Sequence, residues 1–173
     1  MNGASALLHD IGKPIALEKG GRFYGHEHEG SEAARNVCRR LRISNADTDA
    51  ITWAVTKHLV FKDAQRMRES TLRRLLGHES FPVLLELHRA DTLASTGDLS
   101  NYEFVQSTLD RYTEEPILPP PLMRGDDLLA MGLDAGPSIG EILEKVRDAQ
   151  LEGRLGNREQ ALAFALEMVK NRT

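Results

Sequence analysis

Apolar residues recur three and four positions apart through most of this chain, and no other feature constrains its fold as strongly. Ile51, Ala54, Val55 and Leu59 follow this spacing, which places them on one face of a helix. The composition is rich in Leu, Ala, Glu and Arg, which favour helices over strands. The sequence therefore predicts an all-α protein. The predicted helices cover about residues 4–11, 26–41, 45–59, 72–76, 80–94, 102–112, 138–146 and 157–169.

Net charge and cysteine content narrow the class of protein. The 173 residues carry a formal net charge of −4, so no overall positive field marks a general nucleic-acid binder. The single cysteine, Cys38, excludes an internal disulfide and fits a reducing compartment. The sequence shows neither a signal peptide nor an apolar run of membrane length. We therefore expect a cytoplasmic protein without a membrane partner.

Arginines are gathered in two places along the chain. One group is Arg35, Arg39, Arg40 and Arg42, and the other is Arg66, Arg68, Arg73 and Arg74. Guanidinium groups bind phosphate with two parallel hydrogen bonds, so Arg39, Arg40 and Arg42 are candidate RNA or phosphate ligands. A solvated helix face with Glu partners is the commoner origin of such a cluster, and the sequence leaves both interpretations open.

Several polar residues occupy positions where the helical pattern calls for an apolar one. His26, His58 and Asp91 each fall on an apolar helix face, and His9 with Asp10 ends the first apolar turn. Each alone is often structural: a satisfied core histidine, or a carboxylate paired with an arginine. Together they predict a site for a divalent ion such as Zn²⁺, Mn²⁺, Fe²⁺, Ni²⁺ or Mg²⁺. Such sites activate water and hold phosphate oxygens.

The segment after His9 and Asp10 is predicted to be a loop over residues 12–25. Gly12 is expected just past a helix end, and Pro14 is expected to block continuation of the helix. A turn is predicted at Lys19, Gly20 and Gly21. In this arrangement Lys13 could neutralise a bound phosphate, and Asp10 could lie between the metal and the attacking nucleophile. Asp10 and Lys13 are therefore the candidate catalytic residues.

A proline-rich stretch divides the chain. Residues 115–121 read EPILPPP, which predicts a stiff, extended connector. Beyond it, a glycine-rich turn containing Gly136 and Gly140 leads into a helix that Ser138 could cap. Such a turn at a helix N-terminus could bind a phosphate backbone, although a plain turn between helices is the commoner case. Asn157 and Gln160 are predicted to cap the last helix.

Four segments together resemble the HD superfamily of metal-dependent phosphohydrolases, an all-helical fold. They are LLHDIGKP at residues 7–14, FYGHE at 23–27, Lys57 with His58, and RAD at 89–91. The spacing, the stretch around Arg39–Arg42 and the C-terminal segment further resemble the HD-bearing C-terminal region of bacterial CCA-adding tRNA nucleotidyltransferases and poly(A) polymerases. The resemblance implies an incomplete HD-type helical domain at 1–114, a connector at 115–124 and a helical hairpin tail at 125–173.

The chain departs from that family in two ways. The Gly-Ser pair and the Asp-x-Asp motif of the nucleotide-adding head are missing. Asp47 and Asp49 have the Asp-x-Asp spacing, but they lie at a predicted helix start without a preceding Gly-Ser loop, so they do not count as this motif. HD proteins also usually supply a histidine well upstream of the His-Asp pair, and none precedes His9. The resemblance therefore implies a fragment with one metal ligand missing, which cannot add nucleotides by itself.

Three functions remain open from the sequence. The main expectation is a metal-dependent phosphohydrolase acting on a phosphomonoester or cyclic phosphodiester. The alternative is a non-catalytic helical body that binds tRNA, and a third possibility is a regulatory module that binds a nucleotide without turnover. The sequence does not identify the metal, the substrate or the oligomeric state.

Overall fold

The computed structural model describes residues 2–20, 23, 25–113 and 115–170. These residues form α-helices and one short 3-10 helix, with no strand among them, so the predicted all-α class is confirmed. The helices are α1 (Asn2–Leu8), α2 (Lys13–Gly20), α3 (His26–Arg40), α4 (Asn45–Lys57), the 3-10 helix (Val60–Arg66), α5 (Glu69–Leu76), α6 (Phe81–Ser95), α7 (Ser100–Arg111), α8 (Gly125–Ala130), α9 (Pro137–Leu151) and α10 (Arg158–Lys170).

The chain divides into two compact units. The first contains the residues up to Arg66 together with His78–Arg111, and the second contains Met67–Gly77 together with the residues from Tyr112 onward. Helix α5 thus belongs with the C-terminal helices, although it precedes α6 in sequence. The division into residues 1–114, 115–124 and 125–173 stays a prediction. None of the described helices is long and apolar enough to cross a bilayer.

The core of the first unit is built on α3 and α4. Ala34 and Cys38 of α3 pack with Ile51 and Val55 of α4, and all four are buried. Leu8 and Ile11, on either side of the His-Asp pair, pack against this cluster. The apolar contacts therefore draw the His-Asp pair to the junction of α3 and α4.

The predicted loop over residues 12–25 is wrong in its first half. Residues from Lys13 to Gly20 form α2, with Pro14 in its first turn. Proline is tolerated there because the first-turn N–H groups of a helix have no intrahelical acceptor, so Pro14 begins a helix instead of blocking one. Of the predicted turn, Lys19 and Gly20 lie in α2, and Gly21 lies outside the described residues.

Helix α3 ends with a backbone conformation that glycine usually supplies. Arg42 has φ 57°, in the left-handed region, and the N–H of Ile43 donates to the carbonyl of Cys38 at 3.0 Å. This closing pattern turns Ile43 back onto the core cluster of the first unit. Ser44 then caps α4 by accepting from the N–H of Asp47.

The second unit has its own core between α8, α9 and α10. Leu128, Ile142, Val146, Ala149, Ala161 and Ala165 are buried in it. Asn157 caps α10 by accepting from the N–H of Gln160 at 2.9 Å, and the Gln160 side chain accepts from the N–H of Gly156. The expected Ser138 cap of α9 is wrong, because Gly136 occupies the N-cap position and Pro137 begins the helix.

Candidate functional site

The His-Asp pair lies in the tight turn between α1 and α2. Helix α1 ends at Leu8, three residues earlier than the predicted boundary, so His9 and Asp10 follow the helix directly. Gly12 holds this turn against the first turn of α3, because a Cβ at Gly12 would overlap the carbonyl oxygen of His26 and lie 2.8 Å from the Cα of Gly30. Gly12 therefore serves the close approach of two backbones, and it does not lie directly after the end of α1 as the sequence suggested.

Three histidines of this site are oriented by the same local contact. His9, His26 and His58 each place Nδ1 2.6–2.7 Å from the carbonyl oxygen three residues earlier, in Ala6, Phe23 and Val55. A carbonyl only accepts, so Nδ1 carries the proton in each ring. With Nδ1 protonated, the lone pair of each ring in its neutral form is on Nε2, which is how metal-binding histidines are commonly oriented.

The Nε2 atoms of His26 and His58 face each other across 3.2 Å. Both rings are buried, with 5% and 7% exposed, and both already use Nδ1–H elsewhere. Two lone pairs at this separation repel unless a cation or proton lies between them. Ligand nitrogens about 2.1 Å from one ion are separated by about 3 Å, so the spacing suits a shared metal.

Asp10 completes this group. Its Oδ1 lies 3.6 Å from Nε2 of His26 and 3.9 Å from Nε2 of His58. One ligand atom from each of Asp10, His26 and His58 falls within 4.8 Å of the others, which is a geometry that can hold a metal ion. The donor set of two neutral imidazoles and one carboxylate fits a borderline divalent cation. The ligand assignments themselves stay predictions.

His9 and Asp91 flank this group. Nε2 of His9 lies 3.3 Å from Oδ2 of Asp10 and 3.4 Å from Oδ1 of Asp91. The structure thus brings together all five predicted ligand residues, but Asp91 differs from expectation because its side chain is 46% exposed. The apolar face of α6 stays buried through Leu87, whereas Ala90 and Ala94 are exposed, so Asp91 lies at the open rim.

Lys13 pairs with Asp10 directly. Its Nζ donates to Oδ2 of Asp10 at 2.6 Å. Partial burial is the largest influence on the Asp10 carboxyl and raises its pKa. The hydrogen bond from Lys13 and the nearby His9 together outweigh that effect and hold the pKa below its ordinary value. Asp10 is therefore ionised at neutral pH, as a metal ligand requires.

His58 is kept in its neutral form. Burial lowers its pKa, and the neighbouring imidazoles of His26 and His9 add to that effect. The Val55 carbonyl and Asp10 act in the opposite direction without reversing the shift. A neutral imidazole keeps its Nε2 lone pair, so electrostatics and hydrogen bonding both prepare His58 to bind a cation.

A cavity of about 210 Å³ is lined by His58 and Asp91, together with residues that were not predicted from sequence to belong to the site. His88 is the most informative, because its Nε2 is buried without a hydrogen-bond partner among the described residues. Its ring stacks on Phe61 with centroids 4.4 Å apart, and burial lowers its pKa. His88 follows Leu84 by four positions, so helical spacing could have placed it on the buried face.

The predicted phosphate-binding residues form two exposed groups, one in each unit. Arg39, Arg40 and Arg42 are exposed at the end of α3, within the first unit. Gly136 and Gly140 lie at the start of α9, in the second unit, where an added Cβ would meet nothing within 4 Å. Their assignment to RNA or phosphate stays a prediction.

Comparison with known proteins identifies related chains. Residues 27–166 match a family model described as tRNA nucleotidyltransferase domain 2. An A-adding tRNA nucleotidyltransferase from Deinococcus radiodurans is 34% identical over 92% of this chain and 40% of its own length. A CC-adding tRNA nucleotidyltransferase from Thermus thermophilus is 33% identical over 94% of this chain and 38% of its own length. This chain thus spans about two fifths of these curated relatives.

A third relative covers a shorter part of the chain. A bifunctional uridylyltransferase/uridylyl-removing enzyme from a Bradyrhizobium species is 32% identical over 55% of this chain and 10% of its own length. No solved structure is significantly similar to the chain.

Proposed function

Because this chain belongs to the tRNA nucleotidyltransferase domain 2 family, we propose that it is the helical body that binds tRNA for an enzyme of that kind. The observation that carries this proposal is the extent of the match. Two relatives named for adding A or CC to tRNA align with nearly all of this chain and with about two fifths of themselves. In this proposal the chain holds tRNA and does not itself add nucleotides.

The exposed arginines at the end of α3 support this role. Arg40 and Arg42 are exposed and form no ion pair among the described residues. The side chain of Arg39 forms one hydrogen bond within that part of the chain, to Asn36 at 3.4 Å. By contrast, Arg35 is paired with Asp49 at 2.9 Å. Arginines that remain available at the surface can neutralise phosphates and release counterions, which drives binding to nucleic acid.

Binding of tRNA to a triple variant tests the proposal. Arg39→Gln, Arg40→Gln and Arg42→Gln together should weaken binding and lower the slope of log affinity against log salt by about one unit for each phosphate that is no longer neutralised. The matched control is Lys57→Gln, Arg66→Gln and Arg89→Gln, which removes three exposed charges elsewhere in the first unit. Equal affinity and salt slope in the two triple variants would refute the assignment of the α3 arginines.

The approach of the His26 and His58 nitrogens favours a second candidate function, a metal-dependent phosphohydrolase of the HD type. Asp10, His26 and His58 would hold the ion, with His9 and Asp91 at the rim. A bound divalent ion would supply water activation and charge stabilisation at a phosphate. Asp10 and Lys13 would orient each other through their 2.6 Å hydrogen bond, and Lys13 could exchange this partner for a phosphate oxygen. The relative named for both transferring and removing a uridylyl group aligns with 55% of this chain, and its removing activity supports this second candidate.

Hydrolysis of a 2′,3′-cyclic nucleotide tests this second function. The purified chain is assayed with Mn²⁺, with Ni²⁺ and with a chelator, beside Asp10→Asn and the exposed control His28→Gln. Metal-dependent turnover that Asp10→Asn abolishes and His28→Gln retains would support the hydrolase. Absence of turnover with either metal, in protein that binds tRNA, would leave the helical body as the function of the chain.

A further inference from the structure

The second unit contains a cavity that is separate from the histidine site. It has a volume of about 310 Å³ and lies between α9 and the residues that precede α8. Its size is at the lower end of the range of small-ligand pockets. Pro121, Leu122 and Leu143 supply an apolar wall, and Arg74 and Arg147 supply two guanidinium groups. An apolar surface beside two cations suits a ligand with a flat or apolar part and an anionic group.

The two arginines of this cavity differ in whether a carboxylate is paired with the guanidinium group. Arg74 donates to Asp148 at 2.9 Å and lies 3.0 Å from Glu144, so its charge is already compensated. Arg147 has no ion pair within the described part of the chain, and the only side-chain hydrogen bond of its guanidinium there is to Gln150 at 2.8 Å. Guanidinium groups offer five N–H donors, so Arg147 retains donors for a ligand.

Gln150 fixes the Arg147 side chain at the edge of the cavity. Besides accepting from Arg147, its Oε1 accepts from the N–H of Leu122 at 3.3 Å. Its Nε2 donates to the carbonyl of Pro120 at 2.7 Å. The amide is buried and uses both ends, so it connects α9 to the proline-rich connector. The position of Arg147 is therefore set before any ligand binds, which lowers the entropy cost of binding.

The surroundings of Arg147 favour an anion. Burial lowers its pKa, and the guanidinium groups of Arg74 and Arg73 lower it further, against a smaller opposing effect of Glu144. Arginine nevertheless stays protonated at any physiological pH. Arg147 therefore remains a cation with no carboxylate paired to it in the described part of the chain, and a bound phosphate would supply that partner.

We propose that this cavity binds a nucleoside phosphate, with the phosphate at Arg147 and the base or ribose against Pro121, Leu122 and Leu143. The phosphate could belong to a free nucleotide or to an unpaired end of RNA, which present the same chemistry. In the RNA case the inference rests on the proposed function. In the free-nucleotide case it stands independently.

Binding of AMP to the purified chain tests the site. AMP should bind saturably and more tightly than either adenosine or inorganic phosphate, because adenosine lacks the anionic group for Arg147 and phosphate lacks the part that contacts the apolar wall. Arg147→Gln should weaken AMP binding by about tenfold or more, and Arg147→Lys should recover part of that affinity. Lys145→Gln is the matched control, since Lys145 is an exposed cation of the same helix that does not line the cavity, and its affinity should stay within about twofold.

A second arm uses a short single-stranded RNA that ends in a phosphate. If the RNA binds in an Arg147-dependent manner and AMP does not, the ligand is an RNA end. If neither ligand binds, or if Arg147→Gln and Lys145→Gln behave alike in protein that circular dichroism shows to be helical, the proposal is overturned. Binding of tRNA by wild type, measured alongside, would then show that the proposed function survives without this site.

Discussion

The two units contain buried polar side chains that are satisfied to different degrees. In the first unit, His26 and His58 donate from Nδ1 to carbonyls of their own segments and leave two Nε2 atoms 3.2 Å apart. In the second unit, Arg73 donates to three backbone carbonyls, those of Pro116, Ile117 and Leu151. Groups with unused lone pairs can bind a ligand, whereas a fully paired group stabilises the fold. By this contrast, His26 and His58 are candidates for ligand binding, and Arg73 is a residue that stabilises the fold.

Arg73 should give the largest effect on stability. The side chain is 9% exposed and also stacks on Tyr112 with its guanidinium carbon 4.6 Å from the ring centroid. Arg73→Met would leave the three carbonyls without their donor and should lower the free energy of unfolding by about 3 kcal/mol. Urea denaturation measures this change. The control Arg154→Met affects a half-exposed side chain and should cost less than about 1 kcal/mol. A similar decrease in both variants would contradict the structural role of Arg73.

Gly12 should give the next largest effect, this time in the first unit. Gly12→Ala forces the turn that carries His9 and Asp10 away from α3 and should cost about 2 kcal/mol. Gly140→Ala is the control, because Gly140 lies in α9 and a Cβ added there would meet no atom within 4 Å. That substitution should raise stability by about 0.5 kcal/mol. Thermal unfolding compares the pair, and a harmless Gly12→Ala would show that the close approach to α3 is not needed.

Replacing Arg42 by glycine should have a smaller effect, which raises stability but lowers the affinity for tRNA. Its φ of 57° is costly for a residue with a Cβ, so Arg42→Gly should raise the free energy of unfolding by about 1 kcal/mol. The same change should weaken tRNA binding, because it removes a surface cation. Denaturation and binding are measured on the same protein sample. A variant that is both more stable and equally tight would show that Arg42 does not contact RNA.

The smallest effect should come from pH, and it should arise in the first unit. The pKa of His58 lies below its ordinary value of 6.5, so the unfolded chain takes up the proton more readily than the folded chain. The stability that His58 contributes is present above about pH 6.5 and is lost as pH falls through the folded pKa. With a chelator present, His58→Gln should flatten this dependence and the exposed His28→Gln should not.

Sequence spacing predicted much of the fold, and it predicted which segments meet at the histidine site. Helix α3 follows its apolar face, α5 ends directly before Gly77, and α6 begins directly after Ser80, as expected. Helix α2 was missed because Pro14 is equally compatible with ending one helix and starting another. Local signals alone cannot separate these cases, since tertiary contacts at Gly12 decide the chain direction.

The role of individual arginines could not be predicted from sequence. Arg73 and Arg40 both belong to arginine clusters, but Arg73 is buried against carbonyls that are more than forty residues away in sequence, whereas Arg40 is exposed. The same limit applies to Asp91, whose helical position suggested burial although it lies at the rim of the site. Both outcomes depend on how far neighbouring elements cover a helix face.

The affinity of the purified chain for tRNA, measured across a range of salt concentrations, decides whether this chain is a tRNA-binding body. We expect saturable binding, with an affinity whose logarithm falls linearly with the logarithm of salt concentration, and weaker binding to an unstructured RNA of equal length and charge. Equal affinity for the two RNAs, or no saturable binding at low salt, would contradict the assignment of this chain as a tRNA-binding body.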